Sequence, residues 1–328
     1  MKKTLITAIV AIIALFPVTA CQNIDNTHSL DGRLSVVSTI FPYYDFVREI
    51  ADGKVINTML LKPGSESHSY EPTPRDIIMI QNCDLFIYTG GESDAWLDRI
   101  LDSLDISQMN ILRTMDFIDV LEESVIEGME ADSDGSGSST GGINGHSGAA
   151  GTPEFDAHVW TSPRNAILIT EAISGALCAI DQTNAAEYIQ HADNYSAKLT
   201  ELDAEFRAVV NSAAINIMVF ADRFPFRYFA ETYGLECYAA FPGCSAESEA
   251  SAGTVAFLID IIKSKNISVV YYTEFSNQQM ADSISEYTGA RKLLFHSCHN
   301  VSGADFDNGS SYLSLMQKNV ETLKEGLL

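Results

Sequence analysis

Positive charge is scarce in this chain. Its 20 Lys and Arg stand against 44 Asp and Glu across 328 residues, a formal net charge of −24. Neutralising phosphates requires clustered Lys and Arg, so the deficit excludes a nucleic-acid partner. It suits a soluble exported body whose surface attracts cations weakly. The apolar run Leu5–Phe16 falls short of the ~20 residues that a membrane-spanning helix needs. His-Glu-x-x-His and Gly-x-x-x-x-Gly-Lys are both missing, which removes the commonest zinc-protease and phosphate-loop signatures. Cysteine is limited as well. Apart from Cys21 there are five, Cys83, Cys178, Cys237, Cys244 and Cys298, and an odd number excludes complete internal pairing. Cys83, Cys178 and Cys237 lie in apolar stretches and read as buried small hydrophobes. Cys244 and Cys298 lie in loops, where a disulfide, a place near a bound ion or a free thiol all remain open.

What is present starts with Lys2 and Lys3, the mostly apolar Leu5–Phe16, and Val18-Thr19-Ala20 ahead of Cys21. A basic start, a short apolar stretch and small residues before a cleavage point mark residues 1–20 as an export signal. The cysteine directly after them resembles a bacterial lipoprotein signal, in which Cys21 becomes the lipidated first residue. Residues 21–33 are polar, include His28, and read as a tether. Removing residues 1–20 takes away two lysines and no acids, leaving a mature charge of −26. The 46% apolar content is ample for two domains of ordinary size.

Strand and helix patterns alternate in two blocks. In the first, Leu34–Ile40, Val55–Leu61, Leu85–Tyr88 and Ile111–Met115 read as strands, with helices at Tyr43–Ala51, Arg75–Asn82 and Asp94–Leu104. The second block has strands at Ile215–Phe220, Glu236–Phe241, Ile267–Thr273 and Lys292–Phe295. Its helices are Phe226–Tyr233, Thr254–Lys265, Asn277–Thr288 and Tyr312–Glu325. This rhythm predicts an α/β fold of two mostly parallel sheets covered on both faces. Between the blocks, residues 122–157 turn acidic and then run Asp132-Ser133-Asp134-Gly135-Ser136-Gly137-Ser138-Ser139. No core can be built from that stretch, which predicts a mobile loop with His146 solvated inside it. Pro163–Ile180 reads as a helix, and Asn184–Asn211 as a longer one without internal Gly or Pro. Ile189, Leu199, Leu202, Phe206 and Val210 recur there at near-helical spacing. A helix of that length runs about 40 Å at a rise of 1.5 Å per residue and can join two lobes stiffly. The expected division is therefore a lobe at 34–182, a linking helix at 183–212 carrying His191 on its surface, and a lobe at 213–328.

Three histidines stand beyond strand-like runs or a long loop, in three separate parts of the chain. Open α/β folds gather ligands at the carboxyl ends of strands, so these residues can converge across a cleft on a metal ion. His68 stands in Pro63-Gly64-Ser65-Glu66-Ser67-His68-Ser69-Tyr70-Glu71-Pro72-Thr73-Pro74, a loop stiffened by its turn and prolines. His158 stands in Phe155-Asp156-Ala157-His158-Val159-Trp160, with Asp156 as a carboxylate partner for its second ring nitrogen and Trp160 as an apolar wall. His296 follows Lys292–Phe295.

Together the loop with His68, the segment Asp156–Pro163 and the long helix resemble the metal-binding lipoproteins that serve ABC importers of zinc or manganese. The resemblance covers nearly all of residues 34–328. It implies two lobes joined by one rigid helix with the metal site in the cleft between them. It also implies capture of the ion outside the cytoplasmic membrane and delivery, by a lipid-anchored monomer, to a permease and its ATPase, with no reaction catalysed. One departure stands out. The family places a histidine or carboxylate ligand just after the strand that here ends Met218-Val219-Phe220, but this chain continues Ala221-Asp222-Arg223. The expected ligands are then His68, His158 and His296, with Glu274 as first choice for a fourth donor, His299 as second, and Asp222 and Cys298 behind them. Arg223 and Arg227 are expected to pair with Glu247, Glu249 or Asp222. An imidazole-rich set favours zinc; manganese, which leans on carboxylates, is the alternative. A zinc hydrolase using the same residues, a metal-stabilised adhesin and a siderophore or vitamin carrier are the rival readings. The last would need aromatic walls and cationic residues for a large ligand.

Overall fold

The computed structural model describes residues 32–66, 70–91, 94–104, 106–123, 126–129, 154–245 and 250–328. The signal with Cys21, most of the tether with His28, and His68, His146, Glu247 and Glu249 lie outside these residues. The first lobe holds β1 (Ser35–Ser38), α1 (Phe41–Ala51), β2 (Ile56–Met59), α2 (Pro74–Asn82), β3 (Leu85–Tyr88), α3 (Ala95–Leu101) and β4 (Ile111–Arg113). Then come α4 (Pro163–Ile180) and the 28-residue α5 (Ala185–Ser212). The second lobe comprises β5 (Ile217–Phe224), α6 (Arg227–Tyr233), β6 (Glu236–Pro242), α7 (Ala252–Lys265), β7 (Val269–Tyr272), α8 (Gln279–Thr288) and β8 (Arg291–Leu294). Two further helices close the chain, α9 (Gly303–Asp307) and α10 (Tyr312–Leu327).

Each lobe carries a four-stranded parallel sheet, ordered β2-β1-β3-β4 in the first and β6-β5-β7-β8 in the second. The two orders are the same in pattern. In both, the chain reverses its direction of travel across the sheet beside the first strand. A crevice opens at such a switch point, outside the carboxyl ends of the strands.

The long helix follows from its apolar spacing. Tyr188, Ala192, Tyr195, Leu199, Leu202, Phe206, Val209 and Val210 form its buried face, at steps of three and four residues that keep one stripe on the core. Ile189, expected on that stripe, is 52% exposed, because Tyr188 takes the buried position instead. His191, expected on the surface, is half-buried, and its Nδ1 lies 2.9 Å from the Ile50 carbonyl at the end of α1. Among the described residues no helix is long and apolar enough to cross a membrane.

The core does not stop at the lobe boundary. One continuous cluster takes in Val36, Phe46 and Ile87 of the first lobe, Leu199 and Phe206 of α5, and Phe220, Phe295 and Val320 of the second. Helix α10 leaves the second sheet and packs on α5 and α1. Its first N–H, from Tyr312, donates 2.7 Å to the buried Asp45 carboxylate, which also pairs with Arg48.

Three expectations change. The strand expected at Ile215–Phe220 continues to Phe224, so Ala221, Asp222 and Arg223 lie within β5. The segment 122–157 has ordered ends: Glu122 and Phe155 form an antiparallel bridge, and Asp156 N donates to Leu121 O at 2.9 Å. Backbone pairing at that neck supplies the order that composition could not announce. All five described cysteines are free thiols, so Cys244 and Cys298 form no disulfide. Cys298 is fully buried, and burial pushes its thiol well above the ordinary range.

Candidate metal centre

The carboxyl ends of the two sheets face a cleft with about 380 Å³ of empty space, lined in part by Ser65, Glu66, His158, Arg223, Glu274 and His299. The described residues on either side of position 68 are held in place. Gly64, at φ 82°, accepts a turn that would strain other residues, and its N–H donates 2.7 Å to Val301 O. On the other side, Thr73 and Asp76 form a reciprocal capping box at the start of α2 with Pro74 in its first turn.

His158 is fully buried. The Asp156 carboxylate accepts its backbone N–H at 2.8 Å and lies 3.1 Å from its Nδ1. That contact favours the tautomer with its proton on Nδ1, in which Nε2 is the nitrogen that could hold an ion. The Tyr228 hydroxyl holds the Asp156 carbonyl at 2.8 Å. Thr161 returns to the His158 carbonyl through both its N–H and its hydroxyl, shaping the turn that leads into α4.

The loop after β8 brings the second imidazole. It does not turn helically; Cys298 sits at φ 62°, a left-handed conformation uncommon for a non-glycine residue. This sharp bend separates His296 from His299. The His299 ring packs against Trp160 at 4.9 Å and His158 at 5.5 Å between centroids. Two imidazoles on one zinc ion, each at about 2.0–2.1 Å, place their ring centroids roughly 5–6 Å apart, so this pair needs little adjustment to share an ion. Trp160 walls the pair as expected and donates its indole N–H to Ser297 O at 2.8 Å.

His296 is not among the described residues that line the cleft. Its Nδ1 accepts the Cys298 N–H at 2.9 Å, and its backbone is held by Asn319 from α10 on both sides, N–H to Oδ1 at 2.8 Å and carbonyl from Nδ2 at 2.7 Å. Its ring therefore tightens the loop. Glu274 does line the cleft, but its two oxygens accept the Ser297 N–H and hydroxyl. Among the described residues no three His, Cys, Asp or Glu side chains already close on one point. His68, the remaining candidate, lies outside the described residues.

Of the partners expected for the arginines, Glu247 and Glu249 lie outside the described residues, and the Asp222 carboxylate is engaged by other donors. Arg227 pairs with Glu231 one turn along α6, at 3.0 Å. Asp222 is occupied by the Thr273 N–H and hydroxyl and by the Arg223 N–H, and so ties β5 to the end of β7. Arg223 donates from Nε to Ser245 O, and its Nη1 lies 3.7 Å from Glu66.

Residues 36–326 match the family described as zinc-uptake complex component A, periplasmic (ZnuA). The chain belongs to the ZnuA family. It is 30% identical over 312 residues to the zinc-binding lipoprotein AdcA of Streptococcus pneumoniae, an alignment covering 95% of this chain and 58% of that one. It is likewise 30% identical over 314 residues to the high-affinity zinc uptake system protein ZnuA of Bacillus subtilis, covering 95% of this chain and 94% of the relative. The fold matches the crystal structure of the Zn(II)-bound ZnuA-like domain of S. pneumoniae AdcA with a TM-score of 0.71 at 28% identity, over 90% of this chain and 99% of that one. The expected two-lobe α/β architecture with one long helix is thus that of ZnuA-like proteins.

Two residues of this candidate site, Gly243 and Glu123, escaped the sequence reading, and a third, Arg223, was expected only as a paired cation near it. Arg223 reaches the cleft because the β5–β6 register shifts between Phe220 and Arg223, and such an irregularity re-aims a side chain. Gly243 lies so close to His158 that an added Cβ would sit 2.9 Å from the ring Cε1. Glu123 is half-buried beside the site and accepts the Cys244 N–H; burial first, then the Asp156 charge, raises its pKa, while His158 opposes the rise. The acidic run around Glu123 masked it as one more solvated carboxylate. Arg223 alone carried a signal, the absence of the family's ligand at that point in the strand.

Proposed function

We propose that this chain is an extracytoplasmic binding protein that captures zinc and delivers it to an ABC permease and its ATPase partner, anchored at the membrane through a lipid on Cys21. The observation that carries this reading is the meeting of two buried imidazoles, His158 and His299, at the mouth between two parallel sheets, with Asp156 behind one and Trp160 beside both. We assign the third imidazole to His68, which the sequence places between the anchored Gly64 and the start of α2. His299 takes the place first expected of His296, whose ring serves the loop, and Glu274 supports the site through Ser297.

Zinc is bound through ring nitrogens and released as the same ion, so the cargo is not chemically transformed. Ligands presented on stiff supports lose little entropy on binding. Burial strengthens their interaction with the ion relative to water. A hydrolase would need a water position and a general base poised on it, whereas Glu274 is engaged by Ser297. Calorimetric titration of the metal-free protein with zinc and with manganese, together with analysis of the ion that co-purifies, tests the assignment. Zinc binding much tighter than manganese is expected. A clear manganese preference overturns the choice of ion, and failure of both to bind overturns the carrier reading.

A further inference from the structure

The cleft contains a fixed cation where a metal site has no obvious use for one. Arg223 cannot ligate and stays protonated throughout the physiological range. It nonetheless lines the same cavity as His158 and His299. Left uncompensated, its charge would oppose that of a divalent ion. Its paired carboxylate, Glu66, lies 3.7 Å away and is 36% exposed, beyond hydrogen-bond length and screened by solvent. The Glu274 oxygens already accept from Ser297. A closed tetrahedral zinc site needs four donors, and the two imidazoles that meet in the cleft, His158 and His299, leave that set incomplete.

We propose that the ion is held together with a small planar oxyanion, carbonate or a simple carboxylate, which binds the Arg223 guanidinium with one edge and donates an oxygen to zinc. The inference rests on the carrier reading above. A guanidinium presents a flat fork of N–H donors that matches the two oxygens of such an anion. With Nε committed to the Ser245 carbonyl, the fork is held in place by its stem while the terminal nitrogens retain donor capacity. The side chain is only 20% exposed, so the pairing would form largely out of water, where it is stronger than at an open surface. The anion's negative charge offsets the guanidinium and completes the coordination in one step. Arg223 would thereby make zinc affinity depend on the anion present.

The test is calorimetric titration of zinc into the whole metal-free chain in carbonate-free, non-coordinating buffer, repeated with bicarbonate or acetate in excess. With the native chain, at least one anion should tighten zinc binding roughly tenfold or more. Enhancement by bicarbonate alone identifies a carbonate-type partner; enhancement by acetate identifies a carboxylate. The variant Arg223→Gln should lose the enhancement while keeping the native thermal unfolding transition, and Glu66→Gln, which frees the guanidinium, should retain it. Native zinc affinity that ignores both anions overturns the inference and leaves the carrier reading standing. An enhancement that survives in a folded Arg223→Gln protein also overturns it. Absence of zinc binding in every buffer is a different result and removes the carrier reading itself.

Discussion

The tightest point of the site is Gly243. A methyl group there would lie 2.9 Å from His158 Cε1, 3.1 Å from its Nδ1 and 3.0 Å from the Phe224 carbonyl. Ordinary carbon contacts sit at about 3.5–4.0 Å, and with the carbonyl blocking retreat on another side, the imidazole has to move by about half an ångström or more. Gly243 is not in the left-handed region, so Gly243→Ala acts through crowding and not through backbone strain. Overpacking of this kind costs about 1–3 kcal/mol of stability. The more telling loss is at the ring. A displaced His158 gives up the 3.1 Å contact from Nδ1 to Asp156, and removing such support lowers metal affinity roughly 10–100-fold. Urea unfolding of the metal-free protein reads the first effect and zinc calorimetry the second. A folded Gly243→Ala protein with native zinc affinity would refute the placement of His158 as a ligand oriented from behind.

Three other outcomes follow from the same geometry. His299→Ala should weaken zinc binding far more than His296→Ala, measured by calorimetry, whereas His296→Ala should lower metal-free stability by about 1–3 kcal/mol by orphaning the buried Cys298 N–H. The reverse pattern would return His296 to the ligand set. Asp156→Ala should cost roughly 10–100-fold in zinc affinity through loss of ring orientation, and an unchanged titration would show that the carboxylate does not support the ion. The third outcome concerns pH. Burial pushes the Asp45 carboxyl up to about 7, against the opposing pull of Arg48 and the Tyr312 N–H. An unfolded aspartate titrates near ~3.9, so the native state binds the proton more tightly. That contribution to stability is full below about pH 4 and is lost as pH rises through about 7. Asp45→Asn should flatten metal-free urea stability across that window and raise it above neutrality. A variant that keeps the native slope would show that Asp45 is not the group responsible.

Much of the fold could be read from residue order because its determinants are local. Alternating apolar runs and helix-period stripes mark strands and helices one by one, and the stripe from Leu199 to Val210 has only one way to be buried. His158 was equally legible, since Asp156 and Trp160 stand two residues to either side and both contact it in the fold. The choice between His296 and His299 was not. It depends on a left-handed residue between them at Cys298, and a cysteine gives no hint of that conformation, as a glycine would. Arg223 was read as lying beyond its strand because Asp222 and Arg223 look like the start of a polar loop. The buried side chain of Asp222, satisfied by Thr273 across the sheet, lets the strand run on, and that partner is 51 positions away.

The return of α10 onto α5 and α1 bears on how cargo leaves. Asn300, buried in the second lobe's loop, donates to the carbonyls of both Lys62 and Ser65 at 2.8 Å, and the Phe41 N–H reaches the His299 carbonyl at 3.3 Å. A clamshell opening would have to tear these threads and peel the final helix from the opposite half at the same moment. Release by a wide hinge motion between the halves is therefore costly.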